Sequence, residues 1–174
     1  MRKIIAAAAF AAGLVASALG AAAQERAEVD SQAIERSREI VRMIDAIYKN
    51  AIVLITEKYV NDADDFPAGS AAVELFRRIS QGGFHNVRLI DVTGRPYRSS
   101  NVAESEFEKG AVEKIGAGDD YVETVVQRNG EAYLQAATAV PVVMEKCIMC
   151  HPHYREAKEN NQAIGAIVYE LPVR

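Results

Sequence analysis

The chain has no tryptophan and only two cysteines, and its 5 prolines and 11 glycines are an ordinary number for 174 residues. That composition gives no sign of disorder or of a fibrous repeat, and no internal repeat is visible along the chain. Excess positive charge is also lacking. The formal net charge is −4, and it becomes −6 if residues 1–23, which carry Arg2 and Lys3, are removed. An acidic balance argues against nucleic acid or an anionic membrane surface as partner. After Leu19 no segment is long and apolar enough to cross a bilayer. About 150 residues then remain, enough for one domain with a modest core.

The early residues have the three parts of a secretory signal peptide. Arg2-Lys3 is basic, Ile4 to Leu19 is apolar and Ala21-Ala22-Ala23 supplies small residues for cleavage. We expect residues 1–23 to be removed, leaving Gln24 first, with residues 24–174 as a single periplasmic domain.

Both cysteines fall in one pentapeptide, Cys147-Ile148-Met149-Cys150-His151. In an exported protein, C-x-x-C-H is where haem is covalently attached. Two thiols one turn apart each add across a haem vinyl group, and the imidazole that follows becomes the proximal iron ligand. Three other readings compete. A disulfide across so small a loop stabilises little. Zinc needs two more ligands, and only His85 and His153 remain, at no recognised spacing. A thiol–disulfide oxidoreductase is the serious rival, but its motif opens a helix after an early strand, whereas this one sits late.

Periodicity organises the rest. From Asp30 to Tyr59 the pattern is helical. Val41, Ile44, Tyr48, Ile52, Ile55 and Tyr59 form one stripe, which Ile40, Met43, Ile47 and Leu54 widen. The later half of this helix is expected to be buried on two sides, or partly against another subunit. Residues 61–65 read as a solvated acidic turn. A second helix runs from about Ala68 to Gln81 and ends at Gly82-Gly83. His85 to Ile90 alternates like a strand with His85, Val87 and Leu89 facing inward. The Asp91-Val92-Thr93-Gly94 turn follows, and then a short returning strand, Pro96 to Ser100. Glu104–Ile115 is a third helix. Tyr121–Gln127 and Glu131–Val143 are strands joined by Asn129-Gly130, and Ala163–Leu171 is the last strand. These elements predict an α+β domain around one antiparallel sheet with a long N-terminal helix, an order that reads like PAS and Cache sensor domains.

The chain resembles the PAS-like haem c domains that occur alone or as periplasmic sensing modules of chemotaxis receptors and histidine kinases. The resemblance is carried by Tyr48–Ile52, Val87–Asn101, Ala136–His151 and Ile164–Ile167, of which only C-x-x-C-H is specific alone. It implies one haem c held by Cys147 and Cys150 with His151 proximal. It also implies a sixth iron position filled by sulfur from the long helix or left to water. The helix here has no cysteine, and Met43 is its only sulfur. His85 is the other principal candidate; Met144 and His153 are weaker ones. Arg88, Arg95 and Arg98 are candidates to pair with the haem propionates. The expected function is redox or gas sensing through a separate partner protein, with a small electron carrier as alternative. No distal acid–base pair suggests an enzyme. A homodimer through the long helix is a further expectation.

Overall fold

The structure, a computed structural model, describes residues 30–62 and 65–174. The expected signal peptide, residues 1–23, lies outside the described residues, as do two residues of the acidic turn. Helix α1 (Ser31–Tyr59) begins where the Asp30 carboxylate accepts from the Gln32 backbone N–H. Helix α2 (Ala68–Gln81) stops at Gly82-Gly83, with Gly83 at φ 77°. Strand β1 (Asn86–Asp91) follows, and then helix α3 (Glu106–Gly116). There Ser105 and Glu108 cap one another's backbone N–H groups in a capping box. Strands β2 (Tyr121–Arg128) and β3 (Glu131–Pro141) form the hairpin that Asn129-Gly130 predicts, both turn residues having positive φ. Short helices α4 (Glu145–Cys150) and α5 (Arg155–Glu159) precede strand β4 (Ala163–Pro172).

The four strands form one antiparallel sheet in the order β1-β4-β3-β2. Helices α1 and α2 cover one face, where Val41, Phe76, Val87, Leu134, Ile167 and Tyr169 pack together. Helix α3 covers the other through Ala111 and Ile115, against Ile90, Val122, Ala137 and Val168. The central strand β4 is therefore buried on both sides, with Ile167 and Tyr169 facing α1 and α2 while Ala166 and Val168 face α3. The fold is α+β with a long N-terminal helix, as its periodicity predicts.

One expectation fails, and for α1 one of two expected placements is not found. Pro96 to Ser100 is not a strand; a 3₁₀ turn forms at Ser99–Asn101. Pro96 has no N–H to offer a ladder. The carbonyls of Ser100 and Val102 instead accept from the Arg88 guanidinium, at 2.9 and 2.8 Å. Nor is the later half of α1 buried on two sides within this chain. Thr56 is buried, but Leu54 and Ile55 are exposed and Tyr59 is 75% exposed.

Candidate functional site

The C-x-x-C-H segment sits on α4 and its C-terminal cap. Cys147 and Cys150 lie one turn apart, both free and half-buried, and His151 closes the helix by donating its backbone N–H to the Cys147 carbonyl at 3.1 Å. Pro152 disfavours further helix at His151, which takes φ −128° and ψ 70°. Ile148, between the cysteines, is buried and anchors the turn, and Val142 is buried just upstream. Lys146 fixes the segment to the end of α1: its ammonium donates to the carbonyls of Glu57 (2.9 Å) and Val60. A Lys158–Glu145 ion pair joins α4 to α5.

Around His151 is a set of rings. Tyr97 meets it edge-on at 4.6 Å between centroids, and Tyr154 stacks on it at 4.6 Å with 17° between planes. His153 lies 5.8 Å from His151 and stacks on Tyr97 at 5.3 Å. Tyr97 stands just beyond the turn after β1. There the Asp91 carboxylate accepts from the Thr93 hydroxyl and the Arg95 N–H, and Gly94 takes φ 73°. Burial, then the charge of His153, holds the His151 imidazole below its ordinary pKa, so the ring is a neutral donor atom near neutral pH. Burial is also the main reason that the Tyr154 phenol is pushed up to about 12.

Two polar atoms here are conspicuous. His151 Nδ1 and His153 Nε2 are buried with no hydrogen-bond partner. An unpaired buried imidazole nitrogen costs free energy comparable to a lost hydrogen bond, so a partner for such atoms is expected. Two thiols, an imidazole with an orphaned nitrogen and an aromatic wall are a donor set that fits a covalently attached haem. Among the described residues no group of three or more His, Cys, Asp or Glu side chains is arranged to hold a bare metal ion.

The other sequence candidates are scattered. His85 precedes β1; its ring is hydrogen-bonded with the Tyr48 hydroxyl at 3.1 Å and stacks on that residue. Burial lowers its pKa. Among the described residues no ring contact joins it to His151. Met43 is 57% exposed on the outer side of α1, and Met144 is half-buried at the start of α4. Of the four, His153 has a ring contact with His151. Arg88 is engaged by Glu104, Glu108 and two carbonyls, and Arg98 donates to the Ser70 hydroxyl at 2.7 Å. The Arg95 backbone N–H serves the turn. Tyr97 and Tyr154 were not legible as site residues. Tyr154 follows His151 by three, a spacing that brings it onto the ring, but nothing in the sequence marks Tyr97.

Among the described residues no helix is long and apolar enough to cross a membrane. No curated protein matches the chain. Among solved structures, the chain is similar to the cyanobacterial heme-protein Tll0287. The match has 11% identity and a TM-score of 0.49, and covers 79% of this chain and 95% of that one, a likeness too weak to carry an argument. The family model Tll0287-like matches residues 24–168, nearly all of the chain beyond the N-terminal segment, and the chain therefore belongs to the Tll0287-like family.

Proposed function

We propose that the chain is an exported c-type haem protein, in which Cys147 and Cys150 would bind one haem covalently and His151 would supply the proximal nitrogen. The observation that carries this reading is the geometry of the motif: two free thiols on one helical turn, closed by an imidazole that Tyr97 and Tyr154 wall in. Membership of a family named for Tll0287, itself a heme-protein, supports it. Haem, when bound, supplies an iron that takes up an electron or a small ligand.

The chain's own residues do the rest. Ile148 and Val142 anchor the attachment helix, and Lys146 ties it to α1. Tyr97 and Tyr154 bracket the His151 ring and limit its rotation. His85 is already partnered by Tyr48, and Met43 faces outward, so neither is a free side chain turned into the interior. That favours a weak or replaceable sixth ligand.

A replaceable position suits redox or gas sensing better than simple electron carriage, and α1, linked to the motif by Lys146, is the lever that would pass a change to a separate partner. The outer stripe of α1 (Ile40, Met43, Ile47, Leu54) is exposed and would serve a homodimer. The reading keeps the protein periplasmic and without an enzymatic reaction of its own. Absorbance spectra of the purified protein, oxidised, reduced and with CO, test it. A reduced form that binds CO readily, and whose spectrum changes in His151→Ala, is expected. An inert six-coordinate spectrum would turn the assignment to an electron carrier, and absence of any haem band would defeat it.

A further inference from the structure

An open cavity of about 480 Å³ lies between the middle of α1 and the adjoining parts of β2 and β3, and none of its lining residues belongs to the C-x-x-C-H segment. From α1 come Arg42, Asp45 and Lys49, whose spacing of three and four places them on one helix face. From the sheet come Tyr121 and Thr138, and Asp120 lies just before β2. They are held together because Tyr121 pairs with Thr138 across the hairpin and the Ala139 N–H donates to the Asp120 carbonyl at 3.0 Å.

Two cations and two carboxylates line the cavity, and they are not equally engaged. The Asp45 carboxylate accepts from the Thr138 and Tyr169 hydroxyls at 2.6 and 2.9 Å and pairs with Lys49 at 3.0 Å. The Tyr121 hydroxyl donates to Glu123 at 2.7 Å. Three groups keep capacity. Among the described residues Arg42 has one ion-pair contact, 3.3 Å to Glu35 at the surface, and its charge also acts on Glu123. The Lys49 ammonium, a three-donor group, has one ion-pair partner among the described residues. Among the described residues the Asp120 carboxylate has no hydrogen bond or ion pair. A plain anion would be drawn to the two cations but would face Asp120 uncompensated, and a plain cation would meet Arg42 and Lys49. A molecule carrying both charges matches both sides.

We propose that this cavity binds a small zwitterion of the α-amino acid class, with its carboxylate on Arg42 and Lys49 and its ammonium on Asp120. The floor of the site is built: Asp45 is locked to the sheet and holds Lys49 in place, while Tyr121 is fixed by Glu123, which also receives the Arg38 guanidinium at 2.6 Å. Such a ligand bridges α1 to the start of β2. Its binding would therefore restrain the same helix that Lys146 ties to the attachment segment.

The test is isothermal titration calorimetry on the mature protein as purified, with glycine, L-alanine and L-glutamate as probes and acetate and methylammonium as single-charge controls. At least one amino acid should bind with one-to-one stoichiometry while both controls give no heat. Arg42→Ala and Asp120→Asn, both at exposed positions, should each weaken binding at least tenfold with unchanged circular dichroism. Silence from all three amino acids would overturn the proposal. So would acetate binding as well as the amino acids, or binding indifferent to both substitutions. Because the cavity and the motif share no residue, the titration can fail while the haem assignment stands, and the haem assignment can fail while the titration succeeds.

Discussion

Asp45 is the point at which α1 is locked to the sheet, and its replacement by alanine offers a quantitative check on the fold. One oxygen, Oδ1, accepts from both Thr138 and Tyr169, and Oδ2 pairs with Lys49. Tyr169 is fully buried on β4 and Thr138 nearly so on β3. Burial, then the Asp45 charge, holds the Tyr169 phenol far above its ordinary range, so it is a hydrogen-bond donor at every working pH. Asp45→Ala strands that donor. An unsatisfied buried donor costs about 1–3 kcal/mol, and the Thr138 hydroxyl adds about 1 kcal/mol. The partly exposed Lys49 pair adds only about 0.3–0.5 kcal/mol. The expected loss is about 3 kcal/mol, or roughly 6–12 °C in Tm for a domain of this size. Asp45→Asn keeps an acceptor at the same place and should lose only about 1 kcal/mol. Urea denaturation followed by circular dichroism measures both. An alanine variant within 1 kcal/mol of wild type would refute the lock, as would an asparagine variant as damaged as alanine.

Two further substitutions probe the sheet and the α1–β2 contact. A Cβ added at Gly165 would lie 2.8 Å from the Ile90 carbonyl oxygen, which is backbone and cannot swing away. Gly165→Ala should therefore cost about 1–3 kcal/mol in the same denaturation assay, and a neutral effect would mean that β1 and β4 are not so closely apposed. Burial alone would raise the Glu123 pKa, but hydrogen bonds from Arg38 and Tyr121 outweigh it, and the carboxyl sits below its ordinary 4.5. Its folded pKa is the lower one, so its contribution to stability is present above pH 4.5 and is lost as pH falls through the depressed value. Glu123→Gln should make the acid limb of the stability–pH curve shallower, and an unchanged limb would exclude the contact.

Much of the fold was legible because local signals and tertiary packing agree. The Asn129-Gly130 turn has the positive φ at both positions that its hairpin needs, and the apolar periodicity places the three long helices within a residue or two of where the structure has them. The misses come where tertiary partners decide. Pro96–Ser100 looks extended, yet the carbonyls of Ser100 and Val102, the latter just beyond it, belong to Arg88, which reaches them from a neighbouring strand. The outer stripe of α1 is apolar by sequence but has no cover within the described residues, so of the two placements expected for it, burial within the chain is the one not found. At the candidate site, the C-x-x-C-H residues are local in sequence and so can be read from it directly. The ring of Tyr97 is brought to His151 by the turn after β1, a contact across more than fifty residues that no pattern announces.

The central claim is that Cys147 and Cys150 carry haem covalently, and intact-mass spectrometry of the protein exported from cells with a haem c maturation system tests it most directly. The account predicts one species, the chain from Gln24 plus one haem, surviving denaturation. It also predicts that the Cys147→Ser, Cys150→Ser double variant has the mass of the bare polypeptide. A wild-type mass equal to the bare chain with a Cys147–Cys150 disulfide would contradict it.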